Sequence, residues 1–205
     1  MRDMILGVDF DNTIVSYDRL FHRVALERGL IPCEIEESKA SIRDFLRKVG
    51  NEDDWTEMQG YVYGARMAEA LPFPGALECL ARLAARGIRV FIISHKTRLS
   101  YRGPSYDLHE SAWGWLEQNG FFDRARTGLN KDHIFFELTK EAKLERIAKT
   151  GCTHFVDDLP EFLAEPDFPP NVVRILFDPK FRLSDEPAVR RVTSWVEIEK
   201  ALTFH

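Results

Sequence analysis

The chain has 205 residues and a mass of 23.7 kDa, room for one well-cored domain and a modest insertion. Its 44% hydrophobic and 30% charged residues are ordinary for a soluble globular protein, and a net charge of -5 offers no electrostatic footprint for nucleic acid or an anionic membrane. Cys33, Cys79 and Cys152 are scattered and make no disulfide framework; with no membrane-length apolar run and no signal-peptide layout, the expectation is a cytoplasmic protein of open oligomeric state.

Met4 to Val8 is a short apolar run that reads as a buried strand. It leads into Asp9-Phe10-Asp11-Asn12-Thr13. Side chains two apart on an extended chain face the same side, so Asp9 and Asp11 converge. Two crowded carboxylates repel each other. The arrangement makes sense if a cation lies between them, or if one is a nucleophile and the other a proton carrier. A solvated turn is the plainer alternative, since Asp-Asn-Thr suits turns. Residues 17–29, 38–49 and 52–70 then read as three helices, with Gly60 and Gly64 weakening the third. Pro72 and Pro74 then interrupt the helical pattern.

From Gly75 the texture is α/β. A helix over 76–86 precedes the near-continuous apolar run 88–93, the pattern of a parallel strand covered on both faces, which ends in Ser94-His95-Lys96-Thr97. A polar, aromatic loop runs to Tyr106, and a helix covers 107–118. A strand over 133–137, a helix over 140–149 and a strand over 153–156 lead to Asp157-Asp158. A strand over 173–177 and a helix over 192–202 complete the chain. This alternation implies a Rossmann-like parallel sheet with helices on both faces, formed by 1–16 and 72–205, with 17–71 inserted as a small α-helical cap. Ligands bind such sheets outside the carboxyl ends of the strands, where Asp9, Asp11, Ser94, Asp157 and Asp158 all fall. Singly, Ser94 could be a strand-end cap, Asp157-Asp158 a solvated turn and Lys143 part of a lysine-rich solvated face. Together, carboxylates, a hydroxyl and a lysine at one sheet edge call for a cation.

In this order, Asp9-Phe10-Asp11-Asn12-Thr13, Ser94 after its apolar strand, Lys143 and Asp157-Asp158 resemble the four motifs of the haloacid dehalogenase superfamily. The resemblance covers 1–16 and about 72–178 and includes the place of the insert. It implies a Mg²⁺-dependent phosphatase working through an aspartyl-phosphate. Asp9 would be the nucleophile and Asp11 the acid, then the base. Mg²⁺ would be held by Asp9, the Asp11 main-chain carbonyl and Asp157, with Asp158 in support. Ser94 and Lys143 would hold the phosphoryl oxygens, and Thr13 would brace the nucleophile loop beside the substrate. Lys140, three residues before Lys143 and on the same helix face, competes for that role.

Asp11 separates two reaction classes. A departing halide needs no proton whereas an alkoxide does, so the expectation is a phosphatase. The long loop after Ser94 offers His95, Lys96, Arg98 and Arg102 to further groups of the substrate. That substrate is expected to be a small phosphomonoester, a sugar phosphate or nucleotide-like metabolite, with neither nucleic acid nor membrane as partner. A phosphotransferase or phosphonate-cleaving relative is the alternative, and a catalytically silent binding protein another. The intact Asp9 and Asp11 pair counts against the latter.

Overall fold

The computed structural model describes residues 4–181 and 189–202. The chain divides into two compact units, one drawn from Met1–Val15, Pro72–Lys96 and Gly120–His205, the other from Ser16–Leu71 and Thr97–Asn119. In chain order the elements begin with β1 (Ile5–Val8), β2 (Val15–Ser16), α1 (Asp18–Glu27), α2 (Lys39–Lys48), α3 (Glu52–Tyr63) and β3 (Leu71–Pro72). Next come α4 (Ala76–Ala85), β4 (Arg89–His95), α5 (Leu108–Gln118), α6 (Arg124–Thr127), β5 (Ile134–Glu137) and α7 (Lys140–Lys149). The last are β6 (His154–Asp157), α8 (Pro160–Leu163), β7 (Val173–Phe177), β8 (Arg190–Val192) and α9 (Trp195–Ala201).

The first unit is built on a six-stranded sheet of order β5-β4-β1-β6-β7-β8, with every neighbouring pair parallel. β1 lies inside it, with Val8 opposite both Ile92 and Val156, and all four of its residues are buried. A strand covered on both faces has no solvent side, which is why its sequence is continuously apolar rather than alternating. Ile5, Ile93, Leu144, Ile147, Phe155, Phe162, Phe168 and Leu176 share one buried cluster that joins the sheet to α7 and α8. Each such side chain contributes about 1.5–3 kcal/mol by leaving water. This α/β architecture is the one expected from the sequence. β8 was not, and α9 starts at Trp195 rather than 192 because the Ser194 hydroxyl caps it, accepting from the Glu197 N–H at 3.3 Å.

The second unit holds α1, α2 and α3 around an aromatic core. Tyr17 meets Tyr63 edge-on with ring centroids 4.9 Å apart, and Phe21 lies 5.2 Å from Trp55. The helix expected over 52–70 stops at Tyr63, where Gly64 takes ψ -92°, and a 3₁₀ turn over Met67–Glu69 comes next. Gly60 and Gly64 leave room for the 100–106 loop: a Cβ on them would come within 2.7 Å of the Ser100 Cβ and 2.4 Å of the Tyr106 Cβ, respectively.

One boundary differs from the expectation. Residues 97–119, expected in the core from their sequence, belong to the second unit. The buried Trp115 Nε1 donates to the Ala70 carbonyl at 2.8 Å, and α5 packs on the 3₁₀ turn and on α3. An amphipathic pattern says that α5 buries a face, but not which partner it buries that face against. Among the described residues no helix is long and apolar enough to cross a membrane.

Candidate active site

β1 delivers the first carboxylate. The Asp9 N–H donates to the Val156 carbonyl at 2.8 Å, extending the ladder one residue past the strand. Phe10 turns to the opposite side, fully buried and edge-on to Phe136 at 5.5 Å, which leaves Asp9 and Asp11 on a common side. The chain then reverses: the N–H groups of Ile14 and Val15 both donate to the Phe10 carbonyl, at 3.0 and 3.1 Å. Asn12 takes the left-handed conformation at φ 58°, which asparagine tolerates better than most residues. The turn is pinned from outside by Trp195, whose Nε1 donates to the Thr13 carbonyl at 3.1 Å. Thr13 therefore braces the loop through its main chain. Its hydroxyl is buried without a hydrogen-bond partner among the described residues.

The neighbouring strand β4 supplies the matching groups. Ser94 and Lys96, two apart, project toward Asp9 and Asp11, which are also two apart. The buried Ser94 hydroxyl donates to Asp9 Oδ1 at 2.9 Å. The Lys96 ammonium donates to both oxygens of Asp11, at 3.0 and 2.8 Å. Lys96 is only 4% exposed, and its own N–H donates to the Glu137 carbonyl at 2.8 Å. The sequence had offered Lys96 as a loop cation for substrate; the structure places it at the end of the sheet in an ion pair with Asp11.

α7, capped by the Thr139 hydroxyl accepting from Ala142 N–H at 3.1 Å, carries the third element. Lys143 is buried, and its ammonium donates to Asp9 Oδ1 at 2.6 Å and to Asp157 Oδ2 at 2.7 Å. The Phe162 ring lies over it at 4.2 Å. Lys140, one helical turn away, faces Glu165 at 3.8 Å with its side chain 45% exposed. Lys143 is thus the lysine of the cluster.

β6 ends at the fully buried Asp157, whose other oxygen accepts from the Leu159 N–H at 3.0 Å. Asp9, Asp157 and the half-buried Asp158 each offer one oxygen, and these three atoms lie within 4.8 Å of one another. The charged groups here are four carboxylates, Asp9, Asp11, Asp157 and Asp158, and two ammonium groups, Lys96 and Lys143. Oxygen donors this close together suit a hard divalent cation such as Mg²⁺. The Asp11 side chain is not one of the three. Burial pushes the Asp9 carboxyl up to about 7; the Lys143 ammonium opposes this, while Asp157 and Asp11 add to it. Burial also works against the charge on Lys143, yet Asp157 and Asp9 hold it above the usual lysine range.

Three residues expected to read the substrate make contacts of their own outside the acidic cluster. The exposed His95 places Nε2 3.2 Å from the Leu138 carbonyl oxygen. Arg98 and Arg102 belong to the second unit, where they pair with Asp107 at 3.1 Å and Asp53 at 2.7 Å. A 580 Å³ depression in the first unit lies at the opposite, amino-terminal ends of the strands, lined by Ile5, Arg89, Cys152, Thr153 and neighbouring prolines. It holds none of the clustered carboxylates.

No protein-family model and no curated protein matches the sequence. Solved structures do. A HAD family hydrolase from Deinococcus radiodurans R1, with bound phosphate and sodium, superposes with a TM-score of 0.61 at 17% identity, over 98% of this chain and 95% of that one. A HAD-hydrolase from Bacillus subtilis bound to magnesium gives 0.60 at 14% identity over the whole of both chains. A dehalogenase gives 0.61 at 13% identity, over 100% of this chain and 99% of that one. At such identities the shared property is the fold. The chain has the haloacid dehalogenase-like fold, with its acidic cluster at the carboxyl ends of the central strands.

Proposed function

We propose that the protein is a Mg²⁺-dependent phosphatase that hydrolyses a small phosphomonoester through an aspartyl-phosphate on Asp9. The observation that carries this reading is the pairing of Asp9, held at Oδ1 by Ser94 and Lys143, with a second carboxylate two residues on, held by Lys96. A nucleophile alone would serve a halide leaving group. The second carboxylate serves an alkoxide, which favours phosphate-ester hydrolysis over dehalogenation.

The chemistry can be built from the groups in place. Asp9, oriented by its two donors, attacks phosphorus as the bond from phosphorus to the ester oxygen breaks. Asp11, having first taken a proton from solvent at its exposed edge, gives that proton to the departing oxygen. Water then loses a proton to Asp11 and attacks the same phosphorus. The acyl-phosphate bond breaks, and Asp9 returns as a carboxylate with inorganic phosphate as product. Ser94 and Lys143 hold the charge that develops on the phosphoryl oxygens. Mg²⁺, held by Asp9, Asp157, Asp158 and the Asp11 carbonyl, would offset the repulsion between the carboxylates and a dianionic ester and keep Asp9 ionised.

The acidic balance of the chain supports a small substrate, such as a sugar phosphate or nucleotide-like metabolite, over nucleic-acid ends. The test is a panel of such metabolites assayed with and without Mg²⁺, alongside phosphopeptides and 3′-phosphorylated oligonucleotides. Higher specificity constants for the small esters, seen only with the metal, are expected. Preference for the macromolecules, or turnover indifferent to Mg²⁺, would overturn the proposal.

A further inference from the structure

We infer that Lys96 is a positioning residue for Asp11, and that the ends of β1 and β4 form a two-rung pair in which Ser94 sets the nucleophile and Lys96 sets the acid. The inference rests on the phosphatase function proposed for this site.

The ladder between the two strands ends with Val8 opposite Ile92, and beyond it the chains are offset by one residue, so that Asp-x-Asp meets Ser-x-Lys: Asp9 with Ser94 and Asp11 with Lys96. The first rung is Ser94 to Asp9 at 2.9 Å. The second is Lys96 to both oxygens of Asp11, at 3.0 and 2.8 Å. Two contacts to one carboxylate fix its direction as well as its distance, and charge-assisted contacts are the strong ones.

The lysine is itself built in. Its side chain is 3% exposed against 21% for Asp11, so the ammonium sits inside while the carboxylate keeps a solvent-facing edge. Its main-chain N–H is tied to the Glu137 carbonyl at 2.8 Å, and its ammonium lies 5.5 Å from the centre of the Phe10 ring, between the two aspartates in sequence. The exposed edge of this ion pair thus belongs to Asp11. Carrying a proton between an ester oxygen, a water and itself requires Asp11 to stay where both can reach it, and misplacement of a reacting group by about 1 Å can cost on the order of a hundredfold in rate.

The experiment is a double-mutant cycle on Lys96→Met and Asp11→Asn, with kcat and KM measured for an alkyl phosphate and for p-nitrophenyl phosphate in saturating Mg²⁺. Lys96→Met is expected to lower kcat on the alkyl ester by roughly ten- to a hundredfold, within what general acid–base groups contribute. The loss should be smaller on p-nitrophenyl phosphate, whose leaving group needs no proton, and KM should change little. In the Asp11→Asn background, Lys96→Met should cost nothing further. A lysine that bound phosphate would raise KM for both esters equally, and its loss would add in full to that of Asp11→Asn; either result overturns the inference. If Lys96→Met does not fold, Lys96→Arg, which keeps the charge on a longer fork, is put through the same cycle and is expected to show the same leaving-group split. Hydrolysis abolished by Asp9→Asn but additive at Lys96 would overturn this inference alone. A wild-type protein with no Mg²⁺-dependent hydrolysis would overturn the phosphatase reading and this inference together.

Discussion

Replacing Lys143 with methionine keeps most of the side chain's length and removes its charge. The residue is 2% exposed, and its ammonium holds Asp9 at 2.6 Å and Asp157 at 2.7 Å. Two hydrogen bonds to charged groups at about 1.5–3 kcal/mol each amount to about 3–6 kcal/mol. Removing one partner from a buried ion pair costs about 3–5 kcal/mol, because the remaining charges are left uncompensated. The ranges overlap at about 3–5 kcal/mol, which for a chain of 205 residues is a fall of roughly 6–20 °C in Tm. The assay is thermal unfolding of metal-free protein at a pH well above 7, because losing the Lys143 ammonium pushes the Asp9 carboxyl higher still and a protonated Asp9 would relieve the repulsion. Adding Mg²⁺ should restore part of the loss, since a cation can offset the same two carboxylates. Lys140→Met is the control: with a half-exposed side chain 3.8 Å from Glu165, it should cost less than about 1 kcal/mol. A Lys143→Met protein melting within about 2 °C of wild type, or no worse than Lys140→Met, would refute the claim that Lys143 holds the cluster together.

Three further outcomes are expected. Folding raises Asp9 from 3.8 to about 7, so the folded state retains a proton that the unfolded chain has released between those values. Metal-free stability should therefore fall as pH rises through that window, and Mg²⁺ affinity should rise with pH up to about 7 with proton release on binding. Calorimetric titration in two buffers of different ionisation enthalpy checks this, and a pH-independent affinity would count against Asp9 as a ligand. Trp195→Phe removes the donor 3.1 Å from the Thr13 carbonyl and should cost about 1–3 kcal/mol in urea unfolding, together with a loss in kcat as the turn loosens. Gly64→Ala would put a Cβ 2.4 Å from that of Tyr106, so hydrogen-exchange protection should drop in 16–71 and 97–119 while the sheet keeps its own.

Local signals made much of this molecule legible in advance. A strand buried on both faces shows itself as an unbroken apolar run, so β1 and β4 were readable, and polar residues at the ends of such runs marked Asp9, Ser94 and Asp157 without reference to any neighbour. Lys143 was readable only to within one helical turn, because Lys140 shares its face; the buried position of one and the half-exposed position of the other separate them. What was not legible is adjacency. Lys96 looked like a loop cation because nothing local says that β1 lies beside β4, and only that neighbour relation converts Ser-x-Lys into the partner of Asp-x-Asp. The same gap explains α5, whose apolar face is evident from its sequence but whose partners, the 3₁₀ turn and α3, are not. β8 escaped for another reason: three residues, Arg190-Arg191-Val192, carry too short a pattern to be told from a loop.

The most direct test of the proposed chemistry is the steady-state hydrolysis of p-nitrophenyl phosphate by wild-type and Asp9→Asn protein, both with saturating Mg²⁺ and both shown to be folded by their melting curves. This ester needs no proton for its leaving group, so the measurement isolates the nucleophile from the acid. If Asp9 forms the bond to phosphorus, the wild type turns over only with the metal and the asparagine variant falls to background. An asparagine variant that keeps a substantial fraction of wild-type turnover would contradict a covalent role for Asp9.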